Sequence, residues 1–441
     1  MRRVLVMWVL APVLVLAGAR GGHAQPPASP PPVPTPAAGK VLTLEEAVAI
    51  ALERQPQIQA RLGDYEAAKA RVDQALAPIL PQLGSSWTAA RDQTVAQRVR
   101  GPRLQTNFEW DTSTTLKATL SQKLFDFGKT WAATDTAKAN AGSSLEDLEL
   151  QRDLIVLAVK ESYFNMLFSQ RLVKVNEQAL ERAALNLRSA KGFFEVGTQP
   201  KSVVTRAEVD VANARLQIIQ AKNAVRLARA ALNTAMGIRA DAPTEVKDIL
   251  GDQQPFSVDQ SQLLTEALGR RPEYRQIKAR TEAAEATVRQ TFRNFFPDLT
   301  GNAFVGTTRS DMNEIWELGI TLSWDIFDGG GKVARYREAQ ANLQAARERV
   351  HALELDISKE VDQAHSSLVE TSERIQAAQA SVASAEENFR LAQGRFDAGV
   401  GTILELTDGQ LALTQALSTE AQALSDYRIA IARLERSLGR R

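Results

Sequence analysis

The residues of this sequence that could perform chemistry do not form a catalytic or metal-binding pattern. Gly128-Lys129-Thr130 has the residue types that end a phosphate-binding loop, but such a loop needs a glycine where the chain has Lys123. We therefore interpret it as a corner between a strand and a helix. His351 and His365 lack carboxylates at metal-ligand spacing, and we expect both to be solvated on helix faces. The sequence predicts neither an enzyme nor a bound cofactor.

The composition indicates long helices instead. The 441 residues are 44% hydrophobic but only 6% aromatic, which is typical of closely packed helices rather than of a globular enzyme core. Lysine and arginine number 53 against 52 aspartate and glutamate residues, so nothing indicates a nucleic-acid partner. The sequence has no cysteine, which excludes disulfides, thiolate chemistry and acylation of an N-terminal cysteine.

Residues 1–24 have the layout of a secretory signal peptide. Arg2 and Arg3 precede an apolar run, and small residues follow it up to Ala24, after which we place the cleavage; Ala19 is the alternative. An uncleaved anchor helix is the other interpretation, but the apolar run is shorter than the roughly 20 residues that a span requires. Residues 25–40 are rich in proline and predict an extended tether. No later segment has the apolar length of a transmembrane helix, so any membrane contact would use strands.

The rest of the chain is predicted to be one unit that occurs twice. The stretch from Phe396 to Gln410, FDAGVGTILELTDGQ, predicts a sharp turn between two long helices, and Phe194 starts a similar turn 202 residues earlier. Gly197 and Gly399, which permit such turns, align at this offset. We therefore define a first repeat at residues 41–237, a connecting segment at 238–258 and a second repeat at 259–441.

Each repeat contains a strand region before its long helices, at about residues 83–126 and 299–327. Strict alternation of apolar and polar residues predicts a lipid-facing strand in the second repeat. Its apolar face would consist of Trp316, Leu318, Ile320, Leu322 and Trp324. The two tryptophans would be roughly 26 Å apart, which fits aromatic girdles on both sides of a lipid band. The alternative is an ordinary half-buried sheet.

Coiled-coil seams are predicted on both sides of each turn, because apolar and small residues recur at alternating steps of three and four. One seam runs from Ile357 to Phe396 and another from Val159 to Phe194. The helix that starts near Thr130 would be roughly 90 Å long. Only four strands per chain are predicted, whereas a transmembrane barrel needs at least about eight and leaves no open edge in lipid. A barrel would therefore be shared among chains.

Taken in order, these features resemble the TolC-like outer-membrane efflux proteins over residues 42–441. The resemblance rests on the paired segments LSQKLFDFG at Leu120–Gly128 and LSWDIFDGG at Leu322–Gly330, on the two glycine turns, and on RAEVDVANARL at Arg206–Leu216. It implies a mainly α fold with a membrane β-barrel. Three copies would form a homotrimer, in which long α-helical coiled-coil hairpins build an α-barrel tunnel and four strands from each chain close a 12-stranded barrel.

The resemblance also implies a function. The protein would be the outer-membrane channel of a tripartite export system, a passive trans-periplasmic exit duct for small molecules such as drugs or metal ions. It would lie in the cell outer membrane with a long periplasmic extension. Its partners would be a periplasmic adaptor protein, an inner-membrane transporter and outer-membrane lipid. The alternative within the family is the exit duct of type I protein secretion, and the alternative outside it is a structural envelope coiled-coil protein without a pore.

The resemblance extends to single residues. Two acidic residues after the second turn surround the periplasmic aperture in the family, and they correspond to Glu405 and Asp408. Three copies of each would attract cations; alternatively, these acids only complement their helix dipole. A basic residue that helps to close the aperture in some relatives is replaced by Gly401, and the usual acid of the first turn by Val203. Adaptor docking is assigned to Val196, Gly197, Thr198, Ala398, Gly399 and Val400.

Overall fold

The structure of the protein is a computed structural model that describes residues 41–100, 103–251, 260–309 and 313–441. The predicted signal peptide, the predicted tether and residues 252–258 of the connecting segment lie outside this range. One compact unit, residues 42–242 and 246–441, contains the long helices and a four-stranded sheet. The described chain is mainly helical, as the sequence predicts.

The two repeats have closely similar helical elements. The first contains β1 (Val41–Leu42), α1 (Leu44–Arg54), α2 (Pro56–Leu76), β2 (Gln82–Arg100), β3 (Arg103–Phe125), α3 (Lys129–Glu195) and α4 (Lys201–Ala235). After β4 (Glu245–Val246), the second contains α5 (Gln260–Arg270), α6 (Pro272–Arg293), β5 (Asp298–Arg309), β6 (Asn313–Ser323), α7 (Gly331–Asp397) and α8 (Ile403–Ser437). Helices α3 and α7 each have 67 residues, and α4 and α8 each have 35.

The long helices form where the sequence places apolar residues along one side. Ile357, Val361 and Leu368 of the predicted second seam are all buried along α7. At about 1.5 Å per residue, a helix of 67 residues extends about 100 Å. The end of the seam predicted in the first repeat is not buried within this single chain, where Phe194 is 44% exposed. Its neighbour Phe193 packs instead against the second repeat.

Strands β2, β3, β5 and β6 form one antiparallel sheet in that order. The first hairpin is the longer one, with strands of 19 and 23 residues against 12 and 11 in the second. In this single chain the apolar side of β6 is exposed: the fractions are 74% for Trp316, 79% for Leu318, 70% for Ile320 and 63% for Leu322. The alternation of β6 therefore places a continuous apolar surface on one face of the sheet.

Strand β6, which the sequence predicts to face lipid, ends earlier than the sequence predicts. Strand β6 stops at Ser323, which pairs with Asp298 at the start of β5. The next residue on the partner side is Pro297, which has no backbone N–H to continue the ladder. Trp324 therefore lies after the strand, and its indole N–H donates a hydrogen bond to the carbonyl of Phe295 over 3.0 Å. The prediction that Trp324 belongs to this strand is wrong.

Three clusters of buried residues hold the helices together. The first surrounds Tyr163 and packs α1, α3 and α4; the tyrosine hydroxyl lies 2.8 Å from the carbonyl oxygen of Lys247. The second surrounds Ile357 and packs α5, α7 and α8. The third lies at the two turns between the long helices. None of the described helices has the length and hydrophobicity needed to cross a membrane.

Candidate functional site

The two turns, which are far apart in the sequence, come together in one cluster that we call the tip. It joins the end of α3 and the start of α4 to the end of α7 and the start of α8. At its centre Phe396 is 1% exposed, and the ring of Phe193 meets it edge-on with centroids 5.6 Å apart. Leu406 and Val203 are also buried there. Apolar burial therefore holds the two hairpins together next to the predicted aperture residues.

The backbone of the second turn follows from its glycines and from Thr402. Gly399 has a φ of 74°, a left-handed conformation that favours glycine because it has no Cβ. The carbonyl of Arg395 accepts hydrogen bonds from the N–H groups of Val400 and Gly401 at 3.0 and 2.8 Å. The hydroxyl of Thr402 then caps α8 by accepting from the N–H of Glu405 over 3.2 Å. These bonds fix Glu405 in the first turn of α8.

The predicted docking residues all lie on the outside of the tip. Val196 and Val400 are 72% and 71% exposed, unusually high fractions for aliphatic side chains in a well-packed protein. Gly197, Thr198, Ala398 and Gly399 are exposed as well. The turns thus present a small apolar surface to solvent in this single chain, and docking of an adaptor there stays a prediction.

The two predicted aperture acids have different surroundings. A carboxylate oxygen of Glu405 lies 3.4 Å from Nε of Arg395, at the end of α7. Asp408 is exposed and has no ion pair among the described residues. Sequence reasoning missed Arg395, because the pairing depends on how tightly the turn brings the two helices together. A basic residue just before a glycine turn and an acidic residue just after it were the available signal.

The structure also explains why position 401 carries no side chain. A Cβ on Gly401 would lie 2.8 Å from the backbone nitrogen of Phe396 and 2.8 Å from Cβ of Arg395. Contacts that short require the backbone to move, so a basic residue at 401 is incompatible with this turn. The arginine that pairs with Glu405 lies on the opposite side of the turn, at position 395.

Polar contacts tie α8 to the first repeat just beyond the tip. The hydroxyl of Thr407 donates to a carboxylate oxygen of Asp210 on α4 over 2.9 Å. The side-chain amide of Gln410 accepts from Asn186 at 2.8 Å and donates to the carbonyl of Ala179 at 3.0 Å. A groove of about 740 Å³ between α4 and α8 begins at these contacts and is lined mainly by amide, hydroxyl and charged side chains.

At the corner Gly128-Lys129-Thr130, the side chain of Asp126 occupies the N-terminus of α3. The carboxylate of Asp126 accepts from the N–H of Gly128 at 2.9 Å and from the N–H of Thr130 at 2.8 Å. Burial alone would raise the pKa of Asp126, but these hydrogen bonds and the charge of Lys123 outweigh it and lower the pKa below its ordinary value. An ionised aspartate fills the place that a phosphate would take.

The described residues also contain no evident metal-binding site. Across residues 41–100, 103–251, 260–309 and 313–441, no group of three or more histidine and carboxylate side chains could hold a metal ion. His351 lies 3.5 Å from Glu354 on the same exposed helix face. At the tip, by contrast, exposed acids, exposed apolar groups and contacts between the repeats occur together.

Comparison with known protein families identifies the family of this chain. Residues 47–238 and 263–440 both match the family described as outer membrane efflux protein. The chain belongs to the outer membrane efflux protein family. The two matched segments are the two halves that contain the helical hairpins. Members of this family are channels of the outer membrane rather than enzymes, so the protein is located in that membrane and its long helices extend into the periplasm.

Relatives within the outer membrane efflux protein family align along most of the chain. The alkaline protease secretion protein AprF of Pseudomonas aeruginosa is 26% identical over 87% of this chain and 82% of AprF. The outer membrane protein TolC of Escherichia coli is 24% identical over 87% of this chain and 79% of TolC. The solved structure of the outer-membrane channel OprN superposes with a TM-score of 0.78 at 21% identity, covering 90% of this chain and 89% of OprN. The OprN comparison concerns the fold alone.

Proposed function

We propose that this protein is the outer-membrane channel of a tripartite export system, through which solutes leave the cell passively. The observation that carries the proposal is the tip, where two hairpins from opposite halves of the chain meet beside the exposed acids Glu405 and Asp408. Three such tips around an axis would surround one opening with six carboxylates, and rings of acidic side chains are how cation-conducting pores are lined. Family membership supports the channel function itself.

We propose a homotrimer, which the resemblance to TolC-like proteins implies, and the strands support a barrel that several chains share. One chain supplies four strands to the sheet, and β2 and β6 are its unpaired edges. Open edges do not occur within lipid, and transmembrane barrels have at least about eight strands. Three copies would close a 12-stranded barrel whose outer surface carries the exposed face of Trp316, Leu318, Ile320 and Leu322. Lipid of the outer membrane is the proposed partner of that face.

Planar-bilayer recordings of the purified protein test the channel function. We expect single-channel currents, and we expect the double variant Glu405→Ala/Asp408→Ala to conduct more and to be blocked less by multivalent cations. Asp397→Ala is the matched control, because Asp397 is an exposed acid at the same tip that interacts with Gln393 of its own helix. Absence of current from both the wild type and the double variant would leave only a structural role in the envelope.

We further propose that the turns dock a periplasmic adaptor that links the channel to an inner-membrane transporter. The chain has no cysteine, so single cysteines at Thr198 and Val400 give unambiguous crosslinks in cells. We expect both to capture the same adaptor protein, identified by mass spectrometry. A cysteine at Asp64, which is equally accessible on α2 with 66% side-chain exposure, should not capture it. Equal capture from all three positions would contradict docking at the turns.

The cargo has two candidate classes, small molecules and secreted proteins. Small molecules such as drugs or metal ions are the first candidate, since the outer membrane efflux protein family is named for efflux. Type I secretion of a protein is the second, because AprF is named as an alkaline protease secretion protein and aligns over 87% of this chain. Deletion of the gene distinguishes them: loss of small-molecule resistance supports the first, and loss of one secreted protein from the medium supports the second.

A further inference from the structure

The ion pair between Arg395 and Glu405 is a distinctive feature of the second turn. The two groups are 3.4 Å apart, and their side chains are 60% and 47% exposed, so both charges face the solvent at the tip. Backbone bonds of the turn hold residue 395 close to the start of α8, since the carbonyl of Arg395 accepts hydrogen bonds from the N–H groups of Val400 and Gly401. The pair therefore depends on the turn itself and not only on two flexible side chains.

The first turn provides an internal comparison at the same two positions. Phe193 and Val203 precede Arg395 and Glu405 by 202 residues each, and both lie in the apolar cluster of the tip. Where one repeat has two apolar residues, the other has two opposite charges. Of the two turns, only the second therefore carries charges at both of these positions.

We propose that Arg395 determines the ion selectivity of the aperture by compensating the charge of Glu405. Asp408, which has no ion pair in the described chain, then carries the net negative charge that attracts cations. With Arg395 present, each protomer contributes about one net negative charge from these three residues instead of two. The inference rests on the proposed channel function and assigns a role to a residue outside the acidic pair.

Ion selectivity in planar bilayers tests the proposal. The reversal potential is measured under a salt gradient near 0.1 M, where screening extends over about 10 Å, and again near 1 M, where it extends over about 3 Å. For Arg395→Gln we expect the cation-to-anion permeability ratio to rise about threefold at the lower salt and to change little at the higher salt. Arg395→Lys keeps the charge and should resemble the wild type.

Two further variants separate selectivity from a general charge effect. Arg390→Gln removes an arginine that is also largely exposed and pairs with Glu387 on its own helix, and it should leave the ratio unchanged. Arg395→Gln/Glu405→Gln restores the charge balance and should return the ratio to the wild-type value. An unchanged ratio in Arg395→Gln, or equal shifts in Arg395→Gln and Arg390→Gln, would overturn the inference while leaving the channel intact. Absence of current from every variant would instead contradict the proposed function.

Discussion

The two repeats have long helices of equal length, but their side-chain contacts differ at the tip and at the turn between the first two helices of each repeat. At the tip, Phe396 is buried while its counterpart Phe194 is 44% exposed. Away from the tip, the turn between α5 and α6 holds the buried Arg271, whereas the corresponding turn between α1 and α2 has the neutral Gln55. Glycines, prolines and the helical period of apolar residues determine where the helices begin and end, and these features occur in both repeats. The side-chain contacts differ at the tip, where the two repeats meet, and also within each repeat, at the turn between its first two helices.

The largest expected difference in stability is between substitutions of the equivalent residues Phe396, which is buried, and Phe194, which is exposed. Phe396→Ala should lower the free energy of unfolding by about 4 kcal/mol, because it removes a buried ring and leaves a cavity against Phe193. Phe194→Ala should cost less than about 1 kcal/mol, because that ring is largely in solvent in the single chain. Thermal unfolding of the detergent-solubilised protein, followed by circular dichroism, measures both. Equal losses would mean that Phe194 is buried in the assembled protein.

The charged turn of the second repeat should have the next largest effect. Arg271 is 3% exposed at its side chain and binds Glu273 and Glu360, while Arg436 reaches the same two carboxylates. Arg271→Gln leaves two acids with one cation and should cost about 3 kcal/mol, since removal of one partner from a buried ion network leaves an uncompensated charge. The same thermal measurement applies, with Gln55→Ala as the control in the first repeat.

A compensating variant tests whether the network itself matters. The residues that correspond to Arg271, Glu273, Glu360 and Arg436 in the first repeat are Gln55, Gln57, Ala158 and Thr234. The fourfold variant Arg271→Gln/Glu273→Gln/Glu360→Ala/Arg436→Thr therefore copies the first repeat and should recover most of the lost stability. If it remains as unstable as Arg271→Gln, packing rather than charge explains the loss.

The same network predicts a pH dependence. Burial alone would raise the pKa of Glu273, but the hydrogen bond and charge of Arg271 and the charge of Arg436 hold it below the ordinary value of 4.5. A group whose pKa is lowered in the folded state contributes stability above its unfolded pKa, and this contribution is lost as the pH falls through the folded value. The difference between wild type and Arg271→Gln should therefore be largest above pH 4.5 and shrink below it.

Gly401 and Gln199 form the third pair, with an intermediate expected effect. Gly401→Ala should cost about 2 kcal/mol, because the new Cβ would lie 2.8 Å from the backbone nitrogen of Phe396. Gln199→Ala changes the equivalent residue of the first turn and should cost less than about 0.5 kcal/mol. Unfolding midpoints of the two variants check the difference. A neutral Gly401→Ala would mean that the turn opens easily and that a side chain at 401 is tolerated.

The sequence was sufficient for features that depend on local pattern. Periodic apolar residues predicted the long helices, and a glycine at Gly399 predicted the turn that follows α7. Features set by partners in space were not predictable in this way. Strand β6 ends because Pro297 stands opposite its next residue, so Trp324 leaves the strand despite perfect alternation. The pairing of Arg395 with Glu405 likewise required the distance across the turn.

The smallest expected effect concerns equivalent threonines at the start of α4 and α8. Among the described residues, Thr205 bonds to the carbonyl of Lys201 in its own helix at 3.2 Å, whereas Thr407 reaches Asp210 of the other repeat at 2.9 Å. Thr407→Val should cost about 1 kcal/mol, because it removes a half-buried hydrogen bond to a carboxylate while keeping the side-chain volume. Thr205→Val removes a bond within one helix turn and should be nearly neutral.

Channel current shows whether the hydrogen bond between Thr407 and Asp210 affects conduction as well as the free energy of unfolding. If the Thr407 bond helps to hold α8 against α4, Thr407→Val should increase channel current in bilayers in proportion to the loss of that contact, and Thr205→Val should not. Asp210→Asn keeps an acceptor for the Thr407 hydroxyl and should conduct like the wild type. Increased current in Asp210→Asn but not in Thr407→Val would show that the charge of Asp210 acts alone, and that the contact between the repeats plays no part in closing the channel.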